Sequence, residues 1–232
     1  MRFKSPSAAF LFPILVACSG PVEPDFSGIW LLQGRAAERE LVLTEEGERI
    51  KADYDLLNDD PSLNCVPASL SRIWANPNSR IEIVQSSDRV LINYELFDLR
   101  RDIPLGDVSV MPDMPSTKNV SGQYFQEMGS SFARYDGDRL VIETRNHSPG
   151  YIRTSRGIPQ SEMSIATEGF WLDGETLVMQ LTYVDETLFE VPFILDHRFR
   201  KVENEEILPY DCAGADYDWF EKLNAPQEEQ SN

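Results

Sequence analysis

The sequence has few of the side chains on which catalysis and metal binding usually depend. Its 232 residues include only two histidines and three cysteines. It also has no zinc-protease helix motif, nucleophile elbow, phosphate-binding loop or dinucleotide fingerprint. We therefore expect no metal and no cofactor, and an enzyme is the least favoured of the functional classes considered below.

Basic residues are also scarce. Lysine and arginine total 21 against 39 aspartates and glutamates, so the formal net charge is −18. A field of that sign repels the phosphates of nucleic acids and the surfaces of anionic lipids. The charge excludes nucleic acid as a partner, and it leaves the oligomeric state undetermined.

The sequence has no apolar run long enough to cross a bilayer. Its most apolar stretch, residues 8–17, follows Arg2 and Lys4 and spans about ten residues, whereas a transmembrane helix needs about 20. A basic start followed by a short apolar stretch is typical of a signal peptide. The segment Leu-Val-Ala-Cys that ends at Cys18 has the order required for bacterial lipoprotein processing.

We therefore predict a signal peptide over residues 1–17 and a membrane anchor through lipid on Cys18. Residues 18–25 would form a short tether. Ser19 stands where an aspartate would favour inner-membrane retention, so we expect the outer membrane, facing the periplasm. The alternative is an ordinary signal peptide that is cleaved elsewhere.

The two other cysteines, Cys65 and Cys212, predict a disulfide. Exported compartments are oxidising, and an even number of cysteines there usually forms disulfides. Metal ligation is the alternative, but neither cysteine lies in the local cluster that a zinc site requires.

Alternating apolar residues and turn signals predict an all-β protein. Three hairpins are expected, two of them around the Asp-Gly pairs at 136–137 and 173–174. We predict an antiparallel, lipocalin-like barrel of about eight or nine strands with one or two short helices, or alternatively a β-sandwich. A single domain would span 26–224, with a disordered tail over 225–232. The role of segment 106–129, which is long for a loop, is left open.

Several short motifs, in order, resemble a large uncharacterised family of exported bacterial proteins. Residues 25–30, Asp-Phe-Ser-Gly-Ile-Trp, are similar to that family's opening Asp-Leu-Ser-Gly-Val-Trp. Residues 65–67, 137–144 and 210–212 match further motifs, and the resemblance covers roughly 25–215. The family implies no established activity.

The sequence departs from that family at three places. Pro104 and Gln160 stand where the family has histidines, and Gly169 replaces an arginine. Any chemistry that depended on those side chains would be lost in this chain.

Gly28 and Trp30 also resemble the Gly-x-Trp opening of lipocalins. In that superfamily, an arginine near the final strand packs on the tryptophan, and Arg198 or Arg200 would take that place here. The resemblance implies a barrel in which the first and last strands are neighbours, with Trp30 covered at one end.

The candidate ligand-binding residues are Trp30, Glu168, Trp171 and His197. Glu168 and His197 each alternate with apolar residues, which predicts that both face the interior. A buried carboxylate needs a partner, and Arg198, Arg200 or His197 would supply it. Structural roles compete with each site role: a salt bridge for Glu168, a core position for His197, and packing for the tryptophans.

Two other groups are expected at the surface. His147 lies in a turn-like run, which predicts a solvated side chain. Arg100 and Arg101 should point to opposite faces of their strand, and we expect both to act mainly as surface charge.

Three functions remain open. The first is a lipid-tethered barrel that binds a small apolar or amphipathic ligand. The second is an envelope interaction or structural protein with a filled barrel. The third is a hydrolase or isomerase that uses Glu168 and His197. The volume of a cavity in the barrel would discriminate the first from the second, and a convergent acid-base pair in an open pocket would favour the third.

Overall fold

The computed structural model describes residues 23–215. The predicted signal peptide (1–17), Cys18 with most of its tether, a short helix expected over 216–223 and the 225–232 tail lie outside these residues. Within the described range, no helix is long and apolar enough to cross a membrane.

The described residues form thirteen strands, and alternation of buried and exposed side chains accounts for most of them. The Asp-Gly hairpins are present as predicted, and Gly137 and Gly174 both adopt a φ of 62° at their turns. The strands are β1 (Gly28–Leu32), β2 (Ala37–Glu38), β3 (Ile81–Gln85), β4 (Arg89–Tyr94), β5 (Leu99–Pro104), β6 (Thr117–Asn119), β7 (Ser130–Asp136), β8 (Arg139–Arg145), β9 (Gly150–Arg153), β10 (Ile158–Gln160), β11 (Ile165–Asp173), β12 (Thr176–Val184) and β13 (Phe193–Val202).

Ten of these strands form one antiparallel sheet, in the order β6-β5-β4-β3-β1-β13-β12-β11-β8-β7, and β2 pairs with β13. The two ends of the sheet meet where Gly106 N donates to Ala133 O at 2.8 Å. Ser116 links the same two walls, because its O accepts from Asp102 N and its N donates to Gly129 O. The sheet is therefore a closed barrel, which removes most exposed edges and confirms the predicted all-β fold.

In the described part of the chain, three α-helices accompany the barrel: α1 (Glu45–Ala52), α2 (Leu56–Asp59) and α3 (Leu70–Trp74). Thr44 caps α1 as its sequence indicates, since its side chain accepts from Gly47 N. Ile50, Tyr54 and Leu57 have the i, i+4, i+7 spacing that predicts one continuous helix, but α1 ends at Ala52 and Asp55 caps a separate α2. α3 was not predicted, because it lies in a stretch without an apolar period.

The first and last strands are neighbours, as the lipocalin-like resemblance implied. Ile29 of β1 is opposite Val202 of β13, and the register continues to Leu32 opposite Phe199. Trp30 is buried, and its Nε1 donates to Phe26 O at 2.9 Å.

The cation near Trp30 differs from the expected one. Lys201 Nζ lies 5.5 Å from the centroid of the Trp30 ring, in the place expected for Arg198 or Arg200. Arg198 instead pairs with Asp173. Gly28 has a φ of 134°, and a Cβ there would lie 2.5 Å from Lys201 Cε. This explains the Gly-x-Trp spacing: glycine leaves room for the lysine that reaches the tryptophan.

The predicted disulfide joins Cys65 and Cys212, with their Cα atoms 5.9 Å apart. It connects the turn after residues 61–64 to the segment that follows β13. It therefore ties the chain after the last barrel strand to the helical segment that precedes α3.

Candidate functional site

A buried ion pair joins two walls of the barrel. Glu168 of β11 accepts from Arg101 of β5 through both carboxylate oxygens, at 2.8 and 2.6 Å. Both side chains are fully buried. Burial alone would lower the pKa of the Arg101 guanidinium, but the charge of Glu168 outweighs it and holds that pKa above its ordinary value.

This pair corrects two expectations. The partner of Glu168 is Arg101, whereas Arg198, Arg200 or His197 was expected, and Arg101 is not a surface charge. The signal was available in the sequence, because Arg101 alternates with Leu99 and Ile103, which both face the core. Arg100 does point to the opposite face, as predicted.

The α3 helix fills the interior beside the ion pair. Trp74 Nε1 donates to Glu168 Oε1 at 2.5 Å. The Trp74 ring lies 5.3 to 5.6 Å, centroid to centroid, from the rings of Tyr94, Phe170 and Phe199. Side chains therefore occupy this part of the barrel, where the resemblance to lipocalins would place a ligand.

His197 lies inside the barrel as predicted, but it does not form a catalytic pair with Glu168. Its ring stacks on Phe199, and neither ring nitrogen has a hydrogen-bond partner within residues 23–215. Burial lowers the pKa of His197 to about 4, with nearby Arg153 acting in the same direction. Both oxygens of Glu168 accept from Arg101, so Arg101, and not His197, is the partner of this carboxylate.

His147 is buried rather than solvated, which corrects the expectation from its turn-like sequence. Its Nδ1 lies 3.3 Å from Glu127 O, the same carbonyl that accepts from Gln160 Nε2 at 3.2 Å. Burial lowers the pKa of His147 to about 4. Gln160 and His147 therefore hold the segment around Glu127 against the barrel.

The four candidate ligand-binding residues do not converge on one site. Glu168 and His197 are interior, Trp30 lies on β1 beneath Lys201, and Trp171 is on the outer face of β11. There the Arg139 guanidinium carbon lies 4.4 Å from the centroid of the Trp171 ring.

A groove of about 730 Å³ lies on the outer face of β4 and β5, a site that the sequence did not indicate. Its volume is within the range usual for small-molecule sites. Outward-facing side chains of the two strands form its floor, and residues 112–118 together with Tyr124 form its wall. The sequence left the role of the 106–129 loop open, and the structure places part of that loop here.

Apolar and charged side chains share this groove. Leu91, Met114 and Tyr124 supply apolar surface, and the last two are about half exposed. Arg100 of β5 lies directly opposite Lys118 of β6. Neither of these two cations forms an ion pair with a carboxylate of residues 23–215.

The acidic side chains in and beside the groove are Asp102, Asp113 and Glu82. Arg89 binds both carboxylate oxygens of Asp102, at 3.2 and 2.9 Å. Asp113 is exposed on the loop. Glu82, next to the groove on β3, accepts from Asn93 at 2.6 Å. Of the basic residues that line the groove, Arg100 and Lys118 are therefore the two without an ion-pair partner among residues 23–215.

Metal binding finds no support in the part of the chain that is described. Residues 23–215 contain no group of three or more histidine, cysteine or acidic side chains arranged to hold a metal ion.

Comparisons with known proteins give remote structural similarities. No protein-family profile and no curated protein sequence matches the chain. A variant of the fluorescent protein UnaG overlaps 77% of this chain and 97% of its own, with 13% identity and a TM-score of 0.40. A zebrafish ileal bile acid-binding protein complexed with cholic acid overlaps 76% and 98%, with 16% identity and a TM-score of 0.37. Lipid binding protein 8 of Caenorhabditis elegans overlaps 76% and 95%, with 12% identity and a TM-score of 0.38.

At these scores the overlaps assign neither a family nor a ligand to this chain. The barrel is established by its own strand pairing, from β1 through β13 to the contact between β5 and β7.

Proposed function

We propose that this protein is a bacterial lipoprotein, anchored through Cys18 and facing the periplasm from the outer membrane, that binds a small amphipathic molecule. The ligand site in this proposal is the groove outside β4 and β5. The barrel serves as a rigid support for that groove.

One observation carries the proposal: space and functional groups are outside the barrel, while Trp74 and the Arg101–Glu168 pair fill its interior. The groove combines apolar surface with polar groups at fixed positions on strands, as small-molecule sites generally do. Its floor is held by the β4–β5 register, which runs from Arg89 opposite Pro104 to Tyr94 opposite Leu99.

The buried ion pair also stabilises the strand that forms the floor. Arg101 and Asp102 are adjacent on β5, with one side chain inside and the other in the groove. Fixing Arg101 against Glu168 therefore fixes the backbone that presents Arg100 and Asp102.

Photo-crosslinking of the lipidated protein in neutral phosphatidylcholine vesicles tests the proposed site. The probe is a medium-chain fatty acid that carries a diazirine on its chain. Saturable labelling of peptides from 89–104 and 112–124 supports the proposal, whereas saturable labelling of interior residues on β11 or β13 contradicts the exterior site.

The anchor has a separate test. Metabolic labelling with palmitate should mark the wild type and fail to mark Cys18→Ser. A mature protein that begins at another residue and carries no lipid would contradict anchoring through Cys18.

An interaction protein is the second candidate, and the filled interior favours it. The loop beside the groove exposes several large apolar side chains, including Val108 and Val120. Absence of saturable amphiphile labelling anywhere on the protein would favour this candidate over ligand binding.

A further inference from the structure

In the exterior groove, two basic residues lie directly opposite each other on neighbouring strands. Arg100 and Lys118 are Cα partners in the antiparallel pair of β5 and β6. Like charges directly opposite across two strands destabilise the pair. An anion bound between these side chains would remove that repulsion.

Neither cation is committed to another acid within residues 23–215. Arg100 donates to the carbonyl of Leu99 at 2.8 Å, which leaves the rest of its guanidinium available. The Lys118 ammonium lies 5.5 Å from the centroid of the Tyr124 ring, beside the groove. Among the strand registers of residues 23–215, this is the one place where two basic residues stand directly opposite each other.

From this arrangement we propose that the groove selects amphipathic anions, with a carboxylate or phosphate headgroup held between Arg100 and Lys118. This inference rests on the proposed function and specifies its ligand class. The guanidinium fork suits a two-oxygen anion, and the ammonium adds a second charge-assisted hydrogen bond.

The apolar part of the ligand has a defined path. Beyond Arg100, the outward positions of β5 are Asp102 and Pro104. Asp102 is neutralised by Arg89, so it does not repel an anion as a free carboxylate would. Leu91 lies opposite Asp102 on β4, and Met114 covers the loop side. A chain that runs from the cations along β5 therefore meets apolar surface.

The site suits one bound molecule rather than a bilayer surface. The overall charge repels anionic membranes, and the two cations are confined to one end of a groove of limited volume. A single molecule with one anionic headgroup and one apolar tail fits both the two cations and the volume of the groove.

The test compares matched diazirine probes: the fatty acid, its methyl ester and a trimethylammonium analogue of equal chain length. Half-saturation of groove labelling should need about tenfold less acid than ester, which corresponds to one charge-assisted interaction. The trimethylammonium probe should label the groove least.

Variants locate the effect. Arg100→Gln combined with Lys118→Gln should weaken labelling by the acid about tenfold and leave labelling by the ester unchanged. Arg35→Gln combined with Arg200→Gln removes two cations that line other surfaces and serves as the control, with no change for either probe.

The outcomes separate the two proposals. Equal labelling of the groove by acid and ester overturns the charge inference and leaves the proposed function intact. No saturable labelling of the groove by any probe overturns both. Labelling by the acid that rises only with added phosphatidylglycerol vesicles overturns the single-molecule site.

Discussion

At the scale of single residues, the buried Arg101–Glu168 pair makes stability sensitive to the replacement of either partner alone. Two charges are buried together, and each of them compensates the other. Removing one partner of such a pair leaves an uncompensated charge, whereas replacing both with apolar residues removes the desolvation cost as well.

We expect Glu168→Gln to lower the free energy of unfolding by about 3–5 kcal/mol because it leaves Arg101 charged and buried. The double replacement Arg101→Leu with Glu168→Leu should be less destabilising than Glu168→Gln alone. Urea unfolding of the wild type and the two variants checks this, and a double variant at least as destabilised as Glu168→Gln would contradict the coupling.

The buried histidines predict a pH dependence. Both have a pKa of about 4 in the folded protein, below the ordinary value of 6.5. Between these values, the unfolded state binds more protons than the native state, so stability should fall as pH decreases from about 6.5 to about 4. His197→Leu should therefore stabilise the protein more at pH 5 than at pH 7.

The measurement is the urea midpoint across this pH range. His147 remains in the His197→Leu variant, so a reduced slope should persist. An unchanged slope would show that His197 does not contribute.

Alternation of apolar and polar residues along a strand predicts which side chains face the interior, so some positions could be predicted from the sequence. It placed Glu168 and His197 inside correctly from their apolar neighbours. It misplaced His147, because a turn-like composition does not reveal that the segment around Glu127 and Gly129 packs against the ring. The sequence also could not predict that Arg101 pairs with Glu168, because the two residues are 67 positions apart and meet only when the barrel closes.

At the scale of secondary-structure elements, α3 explains why the barrel is filled. It is only five residues long, and Ser69 caps it by accepting from Arg72 N. Its position brings Trp74 against aromatic side chains from β4, β11 and β13. The hairpins were predictable from local turn chemistry, whereas α3 depends on tertiary burial and was not.

We expect Trp74→Ala to destabilise the protein by about 3–5 kcal/mol, because it opens a cavity and removes a hydrogen bond to Glu168. Trp171→Ala is the matched control, since that ring is on the outer face and contacts Arg139. Its loss should cost at most about 1–2 kcal/mol. Similar losses for both variants in urea unfolding would contradict the interior role of α3.

The disulfide links two segments that are not paired in the sheet. Replacing Cys65 and Cys212 with serine should lower the free energy of unfolding by about 2–4 kcal/mol, because the loop they close is long. Dithiothreitol should shift the unfolding midpoint of the wild type to that of the double variant and leave the variant unchanged. A wild type insensitive to reduction would contradict the stabilising role.

At the scale of the whole molecule, the barrel separates an interior that contains Trp74 and the Arg101–Glu168 pair from a groove on its outer face. Closure was predictable from the hairpin series and the Gly-x-Trp opening, and the β1–β13 pairing together with the Gly106–Ala133 contact confirms it. The exterior groove was not predictable, because its wall is a segment without periodicity, and such a pattern does not indicate where the segment packs. The sequence predicted a ligand inside the barrel, but Trp74 occupies part of that space.

The location of a bound amphiphile tests this account most directly. A doxyl-labelled stearate added to the isotope-labelled protein broadens the amide resonances of nearby residues. Binding in the exterior groove predicts broadening of the amide resonances of 89–104 and 112–124, with interior positions such as Phe170, Leu181 and Leu195 unaffected. Selective broadening of those interior residues, with the groove unchanged, would contradict it.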